Sequence, residues 1–120
     1  MKWIFVFIGS GIGGCLRLLV SESINLLPQM RFPLATFLAN LLACLLMSVI
    51  LALWQRQMGI DDKWKLFFTV GVCGGFSTFS TFSNETLQLI AGKEYSLAFL
   101  YVMMSLGTCL FVLWLGTSKH

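Results

Sequence analysis

Leu34 to Trp54 is a run of 21 residues without one charged side chain. At about 1.5 Å of rise per residue, such a run crosses the roughly 30 Å hydrocarbon core of a bilayer as a single helix. A helix satisfies its own amides and carbonyls, which nothing else in that core can do. Three further stretches repeat the pattern. Trp3 to Val20 is interrupted only by glycines, Ser10 and Arg17, and Leu97 to Gly116 has 20 uncharged residues. Leu66 to Ser83 starts apolar and turns rich in Gly, Ser and Thr. The first and third reach spanning length when their polar ends extend to about Leu27 and Ile90. The reading is one all-α membrane domain over residues 1–120, with spans of about 3–27, 33–54, 65–90 and 96–117.

Composition agrees. Hydrophobic residues make up 58% of the chain and charged residues 11%, against about 25% charged in an ordinary soluble domain. The net charge is +3, and the basic residues stand singly, with no stripe for nucleic acid. They flank the spans, where Lys and Arg meet lipid headgroups. Cys15, Cys44, Cys73 and Cys109 each lie inside an apolar run and read as small buried residues, with neither metal-type pairing nor a disulfide framework. The connections are short: a turn at Pro28 to Pro33, a polar link from Gln55 to Lys65, and a tight turn around Gly92-Lys93-Glu94. Lys2, an apolar run and Gly13-Gly14-Cys15 imitate a lipoprotein signal. The helix continues through Leu16-Arg17-Leu18-Leu19-Val20, though, where a polar tether would be needed. With both termini on one side, that side carries Lys2, Arg56, Lys63, Lys65 and Lys119, and the other Arg31 and Lys93. The bias is weak, toward cytoplasmic termini.

The third stretch carries the specific signal. It reads Gly71-Val72-Cys73-Gly74-Gly75-Phe76-Ser77-Thr78-Phe79-Ser80-Thr81-Phe82-Ser83-Asn84-Glu85. Glycines followed by hydroxyl residues make a poor continuous membrane helix, so a break near the middle is expected, with backbone groups freed for ions. A glycine-packed helix crossing is the equal alternative, since Gly71 and Gly75 have small-xxx-small spacing. Phe76, Phe79 and Phe82 recur every third residue and so share a helix face. Such rings usually pack; interleaved with Ser77, Thr78, Ser80 and Thr81, their positive edges suit an anion. Asn40 stands alone inside the second span, either as an interhelical hydrogen bond or as a donor to an anion. In the fourth span Tyr101, Ser105 and Cys109 step by four. Arg17 and Glu85 are the ionisable groups nearest membrane depth and are expected to face a cavity or each other. No metal-ligating cluster, nucleophile–base set or phosphate loop is present, so the chain does not read as an enzyme.

Gly74 to Glu85 resembles the signature of the CrcB/Fluc fluoride channels. So do Gly13-Gly14-Cys15-Leu16-Arg17 and Pro33-Leu34-Ala35-Thr36-Phe37-Leu38-Ala39-Asn40. The likeness covers all four spans in order, with two departures: Ala35 where a glycine is expected, and Cys109 where a hydroxyl would suit the stripe. The resemblance implies a homodimer of antiparallel chains in the bacterial inner membrane, with dual topology and two fluoride pores, each lined by both subunits. It assigns Asn40, Phe79, Phe82, Ser80, Thr81, Tyr101 and Ser105 to the pore. It gives the backbone carbonyls of Gly74 and Ser77 to a structural sodium ion at the dimer centre. Two rivals remain. A small multidrug exporter needs a carboxylate deep in the first helix, where this chain has Arg17, with Glu22 near the end. A purely structural membrane subunit would pass no ions.

Overall fold

A computed structural model describes residues 1–27, 32–56 and 61–117. Part of the turn expected before Pro33, part of the link after Gln55, and Lys119 lie outside the described residues, as does Arg31. Helix α1 is Lys2–Asn25 and α2 is Leu34–Gln55. The third crossing is composite: α3 (Asp62–Leu66), a π-helical segment (Phe67–Cys73), α4 (Gly74–Phe76) and α5 (Phe79–Ala91). Helix α6 is Tyr95–Thr117. Among the described residues, four helical stretches are long and apolar enough to cross a membrane. Large apolar side chains such as Trp3, Phe7, Leu110 and Trp114 stand exposed on α1 and α6, as a lipid-facing surface requires. This is a multi-pass membrane protein.

Between α1 and the third crossing the helices are held by close backbone approach. A Cβ added at Gly9 would lie 2.5 Å from the Phe67 carbonyl oxygen, and one at Gly71 would lie 2.9 Å from Gly9 Cα. Added Cβ atoms at Gly13 and Gly75 would collide with the carbonyls of Val72 and Ser10. Small residues at such a seam let dispersion act between backbones where lipid supplies no hydrophobic drive. The π-helical segment and α4 thus lie directly on α1. On the other side Ser48 Oγ donates to the Val112 carbonyl at 3.0 Å and fills the space beside Gly116, tying α2 to α6. Ala39, Ala43 and Phe76 form one small core, and Leu89, Ala98 and Tyr101 another.

The backbone leaves helical geometry after α4. The Cys73 carbonyl accepts from both the Ser77 amide, at 3.0 Å, and Ser77 Oγ, at 2.9 Å. Ser77 is then extended (ψ 157°), as is Thr78 (φ −151°, ψ 119°). Thr78 caps α5, its Oγ1 accepting from the Thr81 amide at 3.3 Å. The glycines do not depart: Gly74 is helical at φ −63°, ψ −39°. They serve the seam with α1, while the residues whose hydroxyls compete for backbone bonds make the interruption. One expectation is corrected by this. Phe76 does not share a face with Phe79 and Phe82; it is buried against Ala39 and Ala43, because two extended residues reset the helical phase before α5.

The turn between α5 and α6 closes as a Schellman motif. Glu94 N–H donates to the Leu89 carbonyl at 2.8 Å and Lys93 N–H to that of Ile90 at 3.0 Å. Lys93 occupies the left-handed position (φ 63°) where glycine is usual, Gly92 falling one residue early. Lys93→Gly is therefore expected to stabilise the protein by about 1 kcal/mol. Thermal unfolding in detergent should show a raised midpoint.

Candidate functional site

Two cavities lie along the interruption. The one at the extended pair, called inner for that place though it is open along one side of this chain, has about 210 Å³ and is walled by Asn40 and Cys44 of α2, Ser77, Thr78, Phe79 and Phe82 of the third crossing, and Ser105, Leu106 and Cys109 of α6. None of these side chains carries a fixed charge. The outer one, of about 520 Å³, is lined by Arg17, Ser21 and Asn25 of α1, by Ala35 and Thr36 at the start of α2, and by Thr81 and Glu85 of α5.

Asn40 is not isolated. Its Oδ1 accepts from the Thr78 amide at 2.8 Å, the very N–H that a continuous helix would have spent on the Gly74 carbonyl. This fixes the orientation of the Asn40 amide and leaves its Nδ2 hydrogens as the remaining donors. The same accounting applies one turn on. The Thr81 amide, which would have served the Ser77 carbonyl, goes to Thr78 Oγ1 instead. The Gly74 and Ser77 carbonyls therefore both lose their helical partners to side chains. Two neutral backbone oxygens thus lack the amide partners that a continuous helix would give them.

The other expected residues divide between different surroundings. Phe79 is 78% exposed on this chain, its ring centroid 6.0 Å from that of Phe82. Phe82 also packs on Tyr101 at 5.0 Å. Tyr101 is fully buried and reaches neither cavity wall; its hydroxyl donates to Glu85 Oε1 at 3.1 Å. Thr81 faces the outer cavity, and Ser80 is exposed, with its Oγ 3.3 Å from that of Thr78. Ser105 lines the inner cavity, 5% exposed, its Oγ buried without a hydrogen-bond partner. Arg17 and Glu85 face the same cavity, and Arg17 Nε likewise has no partner. Ser21 and Asn25, which join them, went unread in the sequence, yet they follow Arg17 at steps of four along α1.

Residues 4–117 match the family described as CrcB-like protein, Camphor Resistance (CrcB). The chain belongs to the CrcB family. It is similar over almost its whole length to a curated protein of Flavobacterium psychrophilum named fluoride-specific ion channel FluC. The two are 39% identical over 117 residues, 97% of this chain and 94% of that one. A protein of the same name from Phocaeicola vulgatus is 42% identical over 102 residues, 85% and 84% of the two chains. Another, from Shewanella halifaxensis, is 41% identical over 113 residues, 94% and 90% of the two. The CrcB assignment spans α1 to α6, so both cavities fall within the matched region.

Proposed function

We propose that this CrcB-family chain is a passive fluoride channel that lets the ion leave the cytoplasm down its gradient. The observation that carries the reading is the inner cavity: an uncharged pocket in which the Thr78 amide holds Asn40 by its oxygen, leaving the nitrogen to donate. Fluoride is small and binds water tightly, so its dehydration must be offset by aimed donors. Conduction also requires that the ion leave again. An amide, hydroxyls and ring edges supply partial positive charge with no fixed cation to trap the anion. The names carried by the relatives from three different organisms support the same substrate.

The working unit we propose is an antiparallel homodimer in the bacterial inner membrane, with two pores lined by Asn40, Phe79, Phe82, Ser80, Thr81 and Ser105. Tyr101 positions Glu85 at the mouth of each. The exposed ring of Phe79 supports a second chain at this face, since it has little to pack against within its own. The Gly74 and Ser77 carbonyls of both subunits would hold a sodium ion on the dimer axis, whose charge lowers the cost of an anion nearby.

The test is fluoride efflux from liposomes holding this chain alone, read with a fluoride electrode. Efflux far above that of empty liposomes is expected, and none would remove the channel reading. A second measurement separates pore from packing. Phe79→Ile should leave thermal stability within about 1.5 kcal/mol, because one apolar side chain replaces another. Its efflux should nonetheless fall steeply, and full efflux in Phe79→Ile would make the ring a packing residue only.

A further inference from the structure

Asn40 and Cys44 are one turn apart on α2, and Ser105 and Cys109 are one turn apart on α6. All four line the inner cavity, and one turn further along the Ser48–Val112 hydrogen bond ties the two helices together. Beside them the Ser105 hydroxyl is buried and has no partner. Neither thiol is fully buried, and both are free. We infer that Cys44 and Cys109 form a two-thiol site for a soft, linearly coordinating divalent cation, mercury(II), and that its occupation closes the inner cavity.

The chemistry selects this class. Soft sulfur ligands prefer soft d¹⁰ ions. Zinc asks for about four ligands, and among the described residues no group of three or more His, Cys, Asp or Glu is available. A linear ion needs only two donors, and α2 and α6 bring two thiols to one cavity wall. With mercury(II), two S–H bonds break and two Hg–S bonds form. Both protons leave to water, no electron is transferred, and the product is neutral. Neutrality matters in a cavity without countercharge, where burying an uncompensated ion is costly. The bridge would also staple α2 to α6 beside Asn40, in a space of only about 210 Å³. Cys15 and Cys73 stand outside that wall, Cys15 exposed on α1 and Cys73 buried at 2%.

The occlusion rests on the channel reading; the metal site does not, and the experiment keeps them apart. Mercury(II) chloride is titrated into detergent-solubilised wild type and into the Cys15→Ala/Cys73→Ala double variant, following the ultraviolet sulfur-to-mercury band. Cys44→Ser and Cys109→Ser are then each added to the double variant, all preparations being checked for a single gel-filtration peak. Wild type and the double variant should both show the band, saturating in the double variant at one ion per chain. Either serine substitution should weaken binding at least about tenfold, because a bis-thiolate complex needs both sulfurs. An undiminished band in either serine variant, or none in the double variant, overturns the site. In liposomes, mercury should suppress the double variant's own metal-free efflux and dithiothreitol should restore it. Saturated binding with unchanged efflux overturns the occlusion. If the metal-free chain passes no fluoride, it is the channel reading that fails, and the titration still decides the site.

Discussion

Asn40→Asp is expected to lower fluoride efflux roughly 30- to 150-fold while the protein still folds. The substitution keeps the oxygen that accepts the Thr78 amide at 2.8 Å, so the cap on the interruption survives. It removes the Nδ2 donors and puts a carboxylate in an uncharged cavity. Repulsion between that carboxylate and an anion about 6–8 Å away costs about 2–3 kcal/mol at an effective dielectric of about 20, which converts to the stated range at about 1.4 kcal/mol per tenfold. Asn40→Leu makes the contrast. It leaves the Thr78 amide unpaired, which costs about 1–3 kcal/mol of stability, so both melting temperature and efflux should fall. Normal efflux in Asn40→Asp would take Asn40 out of the pore.

Gly13→Ala is expected to be the most damaging single methyl in the chain. Its Cβ would collide with the Val72 carbonyl and come within 2.8 Å of the Phe76 amide nitrogen. Both are backbone atoms that no rotamer change can move aside. Relief requires α1 to shift from the third crossing, costing about 1–3 kcal/mol as overpacking and loosening the helix turn that leads into Ser77. Gly11→Ala on the same helix meets nothing within 4 Å and should be neutral or slightly stabilising. Unfolding of the two variants in detergent, side by side, checks this. Equal stability would mean that the glycine seam does not hold the helices together.

The four membrane-capable helices were legible because run length alone decides them: no soluble arrangement hides Leu34 to Trp54. The glycine-rich stretch was legible only as a choice between packing and interruption. The chain does both at different residues, with glycines at the α1 seam and hydroxyls at the extended pair. Phe76 misled because the three-residue spacing was read through Ser77 and Thr78, where the helical phase is lost. The pairing of Tyr101 with Glu85 joins residues 16 apart. It depends on the register of the turn around Lys93, which propensity does not specify. The outer cavity needed only the four-step stride of Arg17, Ser21 and Asn25. Asn40 was noticed for its isolation, but its partner is a backbone amide, and sequence shows no backbone amides as such.

The start of α5 at Phe79 has a consequence for electrostatics. Peptide dipoles aligned through a helix leave about half a positive elementary charge at its N-terminus, concentrated in the first turn. Here that terminus opens at the inner cavity, since Thr78 and Phe79 are both in its wall. Its partial charge adds to that of the Asn40 amide and the hydroxyls. All of these sources are permanent dipoles, and none gains or loses a proton in the physiological range. The attraction offered to an anion inside is thus built in large part from backbone direction, fixed when the chain folds.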